Sequence, residues 1–269
     1  MATIMTEKPE RRSVGEAHHE GVKEQIAADN QRAYEGLEEL AQLTRDVARL
    51  GPAEGDRRPF YVAWGLLAAA ERQAAAIVLL HRKGLGHEAA PNRRALLEHM
   101  AQIEWLADDG ADAVDAMNRA LQQSQKKLRD AADAAGMAYD PEIADLVAGA
   151  VIPSNSAEQF NNFTPLFKRL SDVFLAVWRA ETQLAHPTLT AAQCFFDDSA
   201  RDTVTLYSEP VYRQGVESPI ERSPFIAFVV MWSAMQAFNQ LLPGQLWSDE
   251  LQQIAAEGGI DDSWTASVQ

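Results

Sequence analysis

The sequence predicts an all-α fold, a multi-helix bundle, and three observations lead there. Alanine and leucine are abundant while β-branched residues are scattered, which favours helix over sheet. Apolar residues recur at helical spacing along most of the chain. Prolines and several glycines fall where helices would begin and end.

The elements follow in order. Leu37, Leu40, Ala41, Thr44, Val47 and Ala48 carry a first helix over about 16–50, ended by Gly51-Pro52. Pro59 opens a second, closed after residue 83 by Gly84 and Gly86. A third starts at Pro91-Asn92 and stops at Asp108-Asp109-Gly110; a fourth runs to Ala135 with Gly136 as its C-cap. Pro141, Pro165 and Pro224 mark further first turns, with Thr164 and Ser223 as N-caps. One helix is expected from Thr164 to His186, after a loop over 151–163. Residues 197–222 lack helical period, so a long irregular segment with a small hairpin at Thr203–Tyr207 precedes the last long helix. The domain reading is a mobile N-terminal segment at 1–15, a single bundle at 16–245, and an acidic C-terminal helix and tail at 246–269.

Composition narrows the function. The 269 residues carry a net charge of −15, which opposes a phosphate backbone, so DNA is excluded as a partner. Cys194 is the one cysteine, and the first residues are charged, with no apolar run of the kind a signal peptide needs. The expected location is the cytoplasm. Residues 225–242 lack charge, but Ser233, Gln236, Asn239 and Gln240 interrupt them, so they read as a buried central helix and not a membrane span.

Several polar residues fall on or beside apolar faces. In the segment 164–186, Leu170, Phe174, Val177, Trp178, Leu184 and Ala185 form a stripe that includes Glu181, and Arg179, Thr182 and His186 share the adjacent face. In the helix at 91–107, Leu96, Met100, Ile103 and Leu106 form the stripe, edged by Arg93 and Glu104, while Arg94 and Glu98 lie one turn apart elsewhere. Glu71 aligns with Trp64, Leu67, Ala75 and Val78. Glu71, Glu98 and Glu181 are therefore expected to be partly buried, with Arg72, Arg94 and Arg179 as candidate partners.

Arg94-Ala-Leu-Leu-Glu98 followed by Trp178-Arg179-x-x-Thr182-x-x-x-His186-Pro187 resembles the bacterial family DUF5677, a domain of unknown function. Members show an Arg-x-x-x-Glu helix and then a Tyr-Arg-x-x-Ser-x-x-x-His-Pro segment; here Trp178 and Thr182 replace the tyrosine and serine. The resemblance spans roughly residues 60–242. It implies a helical domain and supplies no activity.

The expected function is a non-enzymatic binding or interaction module with a polar cluster of Arg94, Glu98, Arg179, Thr182 and His186. Its partner would be a small anionic ligand or a protein, with a homodimer as one possible assembly. No cofactor and no bound metal are expected. One alternative is a metal-independent ribonuclease resembling the HEPN superfamily, acting on RNA in stress or defence. Its Arg-x(4–6)-His motif is met by Arg179 and His186 as catalytic residues, the histidine moving a proton and the arginine stabilising phosphate charge. Arg93 or Arg94 with His99, Arg82 with His87, and Arg11 or Arg12 with His18 fit the spacing too. A second alternative is a carboxylate/His metal-binding bundle from Glu71, Glu98, Glu181 and His186, where the sequence offers a lone Glu-x-x-His-type run at Glu16-Ala-His18-His19.

Overall fold

The computed structural model describes residues 14–45, 51–137, 149, 151–199, 203–212 and 220–260. The fold is all-α, a multi-helix bundle: α1 is Val14–Arg45, α2 Arg58–Arg82, α3 Ala90–Asp109 and α4 Ala111–Ala135. A 3-10 turn at Ser156–Asn161 leads to α5 (Phe163–Leu170), α6 (Asp172–Ala185) and the short α7 (Leu189–Gln193). Strand β2 (Thr205–Leu206) falls in the segment expected to form a hairpin, but its antiparallel partner is β1 (Phe196–Asp197), upstream of that segment, with Phe196 facing Leu206. The chain closes with α8 (Ser223–Asn239) and α9 (Ser248–Gly258). The expected N-terminal segment with Arg11 and Arg12, the Glu16 and His18 side chains, a helix at Pro141 and the residues beyond Ile260 lie outside the described residues.

Helix α8 is the hub. It packs against α1, α2, α3 and α9 and is buried along almost its whole length. A helix apolar all round belongs in a core, which is where residues 225–239 lie. Its polar interruptions are satisfied inside. The Ser233 hydroxyl donates to the Val229 carbonyl at 3.0 Å, and Asn239 Oδ1 accepts from Trp247 N at 2.9 Å, tying the end of α8 to the start of α9. Trp232 Nε1 donates to the Leu251 carbonyl at 2.9 Å.

Around this hub, α2 presents Ala63, Leu67, Ala70, Ala74 and Ile77, spaced alternately four and three apart, as its buried stripe. Glu71 is turned away from that stripe, toward α1, and accepts from the Thr44 hydroxyl at 3.2 Å. The face expected from Trp64, Ala75 and Val78 was thus rotated from the one buried. A short run of alanines permits either phase, and only the position of α8 selects one. By length and composition α2 could also cross a membrane.

Two boundaries differ from the sequence reading. The helix expected over 164–186 is broken at Ser171, whose extended backbone and side-chain acceptance from Val173 N start α6 afresh. Asn162, not Thr164, caps α5, accepting from Thr164 N at 3.0 Å. Gly110 separates α3 from α4 with φ 54°, as the Asp-Asp-Gly stop implied.

The Phe228 ring of α8 is held between Gly36 of α1 and Gly258 of α9. A methyl on Gly36 would sit 2.4 Å from the ring, and one on Gly258 2.2 Å from it. Backbone approach this close requires glycine. Gly36→Ala and Gly258→Ala should each cost about 1–3 kcal/mol from overpacking, read by urea denaturation. Phe228→Leu in the Gly36→Ala background should cost less than the sum of the two changes. A neutral Gly36→Ala would mean that the ring has room to move.

Candidate functional site

The site is built where α3 and α6 meet, and it has an inner and an outer arginine. Arg93 and Glu181 are both fully enclosed, and Arg93 Nε donates to Glu181 Oε1 at 2.8 Å. Arg93 Nη1 donates to the Gly86 carbonyl at 2.7 Å and to the Ser223 hydroxyl at 2.8 Å, and that hydroxyl donates to the Ile220 carbonyl at 2.8 Å. One guanidinium thus joins α3, α6, the turn before α3 and the start of α8. Ser223 was expected to cap α8; it lies inside the helix, behind Arg222, and serves this network instead. A methyl on Gly86 would fall 2.4 Å from Ile220, so the same glycine that supplies the carbonyl also permits the approach.

Arg94, the next residue, points outward, a turn of about 100° being enough to change faces. Its Nε donates to Glu98 Oε1 at 2.9 Å, and the Trp178 indole Nε1 donates to the same oxygen at 3.0 Å. The guanidinium carbon lies 6.0 Å from the Trp178 ring centre, within cation–π range. Arg94 Nη1 also meets His186 Nε2. Trp178 is itself fixed by stacking on Phe167, ring centres 5.3 Å apart. The side chains of Arg94 and Glu98 keep 24% and 21% of their exposure, so the cluster faces solvent at one edge.

Of the expected site residues, the structure therefore brings together Arg94, Glu98 and His186, and it adds Trp178. Arg179 lies on the exposed side of α6 with no ion pair or hydrogen bond among the described residues. The Thr182 hydroxyl is spent on the Trp178 carbonyl at 2.7 Å. His186 does not continue the Arg179–Thr182 line, because it is the C-cap of α6, with φ −108° and ψ 160°, and Pro187 holds it out of the helical region. The partner assignments shift as well: Glu98 takes Arg94 as expected, while Glu181 takes Arg93 and not Arg179.

The other Arg/His spacings do not pair up among the described residues. Arg82 lies over the Tyr34 ring at 4.5 Å, His87 contacts the Tyr212 hydroxyl, and His99 turns to the Ala95 carbonyl. No group of three or more His, Cys, Asp or Glu is placed to hold a metal among the described residues. Glu71, Glu98 and Glu181 are each engaged by a separate partner.

Two features were not foreseen. An apolar groove of about 330 Å³ runs between α1 and α2, floored by Met231, with Tyr34 bonded to His81 Nδ1 at 2.9 Å at its edge. The second is a small cluster of His87, Tyr212 and Cys194. Burial lowers the His87 pKa and raises that of Tyr212, and Phe195 meets the His87 ring edge-on at 5.5 Å. Both join segments far apart in sequence, and no local spacing signals them.

A family model described as a family of unknown function, DUF5677, matches residues 60–168. The chain is similar to that family over α2 to α5, which includes Arg93, Arg94 and Glu98; the Trp178–Pro187 segment lies beyond the match. No curated protein and no solved structure matches the chain.

The two arginines should separate cleanly in stability. Arg93→Leu or Glu181→Leu alone leaves an unpaired buried charge and should cost about 3–5 kcal/mol. Removing both should cost much less than the sum in a denaturant double-mutant cycle. Arg94→Ala, at a partly solvated pair, should cost roughly 1 kcal/mol or less. Equal losses at Arg93 and Arg94 would contradict the assignment of inner and outer roles.

Proposed function

We propose that this DUF5677-like chain is a non-enzymatic binding module that takes a small anionic ligand at the α3–α6 edge, through Arg94 and His186. One observation carries the proposal. Arg94 is held in place by Glu98, and Glu98 by the Trp178 indole, yet the guanidinium still reaches solvent beside an exposed imidazole. A guanidinium fixed before the ligand arrives loses little entropy on binding and offers paired donors to a carboxylate or phosphate. An anion inserted between Arg94 and His186 would replace their direct contact and accept from both.

Glu98 acts here as the holder of Arg94, not as a ligand contact. Arg179 and Thr182 stand outside the contact set, since the hydroxyl is occupied and the arginine faces solvent. The net charge of −15 supports a compact anion over an extended nucleic acid. The buried free thiol of Cys194 suits a reducing, cytoplasmic setting. The ribonuclease alternative asks Arg179 and His186 to act together, and no contact joins them.

The test is isothermal titration with inorganic phosphate and with acetate. Arg94→Ala should weaken binding roughly tenfold or more, the worth of about 1.5–3 kcal/mol for a charge-assisted hydrogen bond. His186→Ala should weaken it several-fold and Arg179→Ala hardly at all. No heat with either anion, or weakening by Arg179→Ala alone, would sink the proposal. In parallel, total RNA incubated with the protein in EDTA should stay intact. Cleavage lost in both Arg179→Ala and His186→Ala would establish the nuclease instead.

A further inference from the structure

A second cavity, of about 280 Å³, lies away from the Arg94 cluster and involves none of its residues. Glu104 and Asp108 of α3, Arg169 of α5, Phe174 of α6 and Gln240 at the end of α8 line it, with Met100 beside them. Glu104 is the unusual member. It is only 6% exposed, and its carboxyl makes no hydrogen bond or ion pair among the described residues. A buried carboxylate left unpaired is costly. The buried Glu181 has Arg93, and Asp29 has Arg32 and Arg222.

Among the described residues, the cation that lines the cavity, Arg169, is already engaged. Arg169 Nη1 binds Asp109 at 2.7 Å, Nη2 binds Asp108 at 2.9 Å, and the guanidinium lies 5.0 Å from the Phe160 ring centre. Arg169 therefore neutralises the aspartates and leaves Glu104 without a counter-charge. The rest of the wall is part apolar, from Phe174 and Met100, and part amide, from Gln240. A divalent metal would need several carboxylates converging, and no such group is present among the described residues. With Asp108 neutralised by Arg169, one unpaired carboxylate, Glu104, beside a partly apolar wall that includes the Phe174 ring matches an alkylammonium ion.

We propose that this cavity binds a small organic ammonium ion, with Glu104 as its paired carboxylate and Phe174 and Met100 holding its alkyl part. Burial pushes the Glu104 carboxyl up to about 8, and the negative charge of Asp108 adds to it. At neutral pH the empty site thus holds a proton. When the ammonium ion enters, that proton leaves to solvent and the carboxylate pairs with the cation, so charge in the cavity is conserved.

The probe is n-butylammonium chloride, titrated calorimetrically at constant ionic strength, with n-butanol as the neutral control. Affinity should rise roughly tenfold per pH unit from 6 toward 8 and then level, the signature of one displaced proton. Glu104→Gln should abolish binding, while Phe174→Leu should weaken it and keep the pH slope. Arg94→Ala should leave it unchanged, which separates this site from the anion site. The empty protein gives an independent reading that needs no ligand. Because the folded-state pKa is raised, the stability linked to this proton is full below about 4.5 and is lost as pH rises through about 8. The melting temperature of Glu104→Gln should therefore gain on wild type as pH rises through that window. Binding that survives Glu104→Gln, a flat pH profile, or equal binding of butanol would each overturn the proposal.

Discussion

The buried ion pair of Arg93 and Glu181 is the constraint on which the geometry of this protein depends. Two charges have been taken out of water between α3 and α6, and the desolvation cost is bearable only if the helices stay in one relative register. The pair is not fully saturated: Arg93 Nη2 and Glu181 Oε2 are buried without a hydrogen-bond partner among the described residues. Its contribution is therefore to specificity of packing more than to net stability. The further bonds to Gly86 and Ser223 extend that register to the start of α8, which every neighbouring long helix then uses as its surface.

Fixing α3 against α6 also fixes what lies outside the pair. Arg94 follows Arg93, so it must emerge on the next face of α3, and Glu98 comes with it one turn later. Trp178 lies three residues before Glu181 on α6, which brings its indole onto Glu98. The outer cluster is thus a consequence of the inner one: the buried pair sets the positions, and the outer residues stay partly open to solvent. The same logic places Glu104 on α3, beyond the reach of any arginine on α6, where its carboxyl faces a cavity instead of a counter-ion.

Polar groups in this core are handled in three ways. Some are internally satisfied, as Ser233 and Asn239 are on α8. Some are paired across helices, as Arg93 and Glu181 are. Among the described buried polar residues, Glu104 stands apart as enclosed and unpaired, and burial without a partner is what shifts a titratable group.

Much of this was legible from local signals. The helical class, the ends of α2, α3 and α4, strand β2 and the buried nature of residues 225–239 follow from periodicity, glycine and proline, which act over a few residues. So does the burial of Glu181 and the pairing of Arg94 with Glu98, one turn apart on one helix. What the sequence could not decide is which helix faces which. Arg179 was the candidate partner for Glu181, yet Arg93 of α3 holds it, and the rotation of α2 was ambiguous along its alanines. The departure of His186 toward Arg94 required knowing where α3 lies. Helical period determines faces within a segment, because backbone geometry is local; partners across segments depend on packing, which is decided only when all the apolar faces are buried at once.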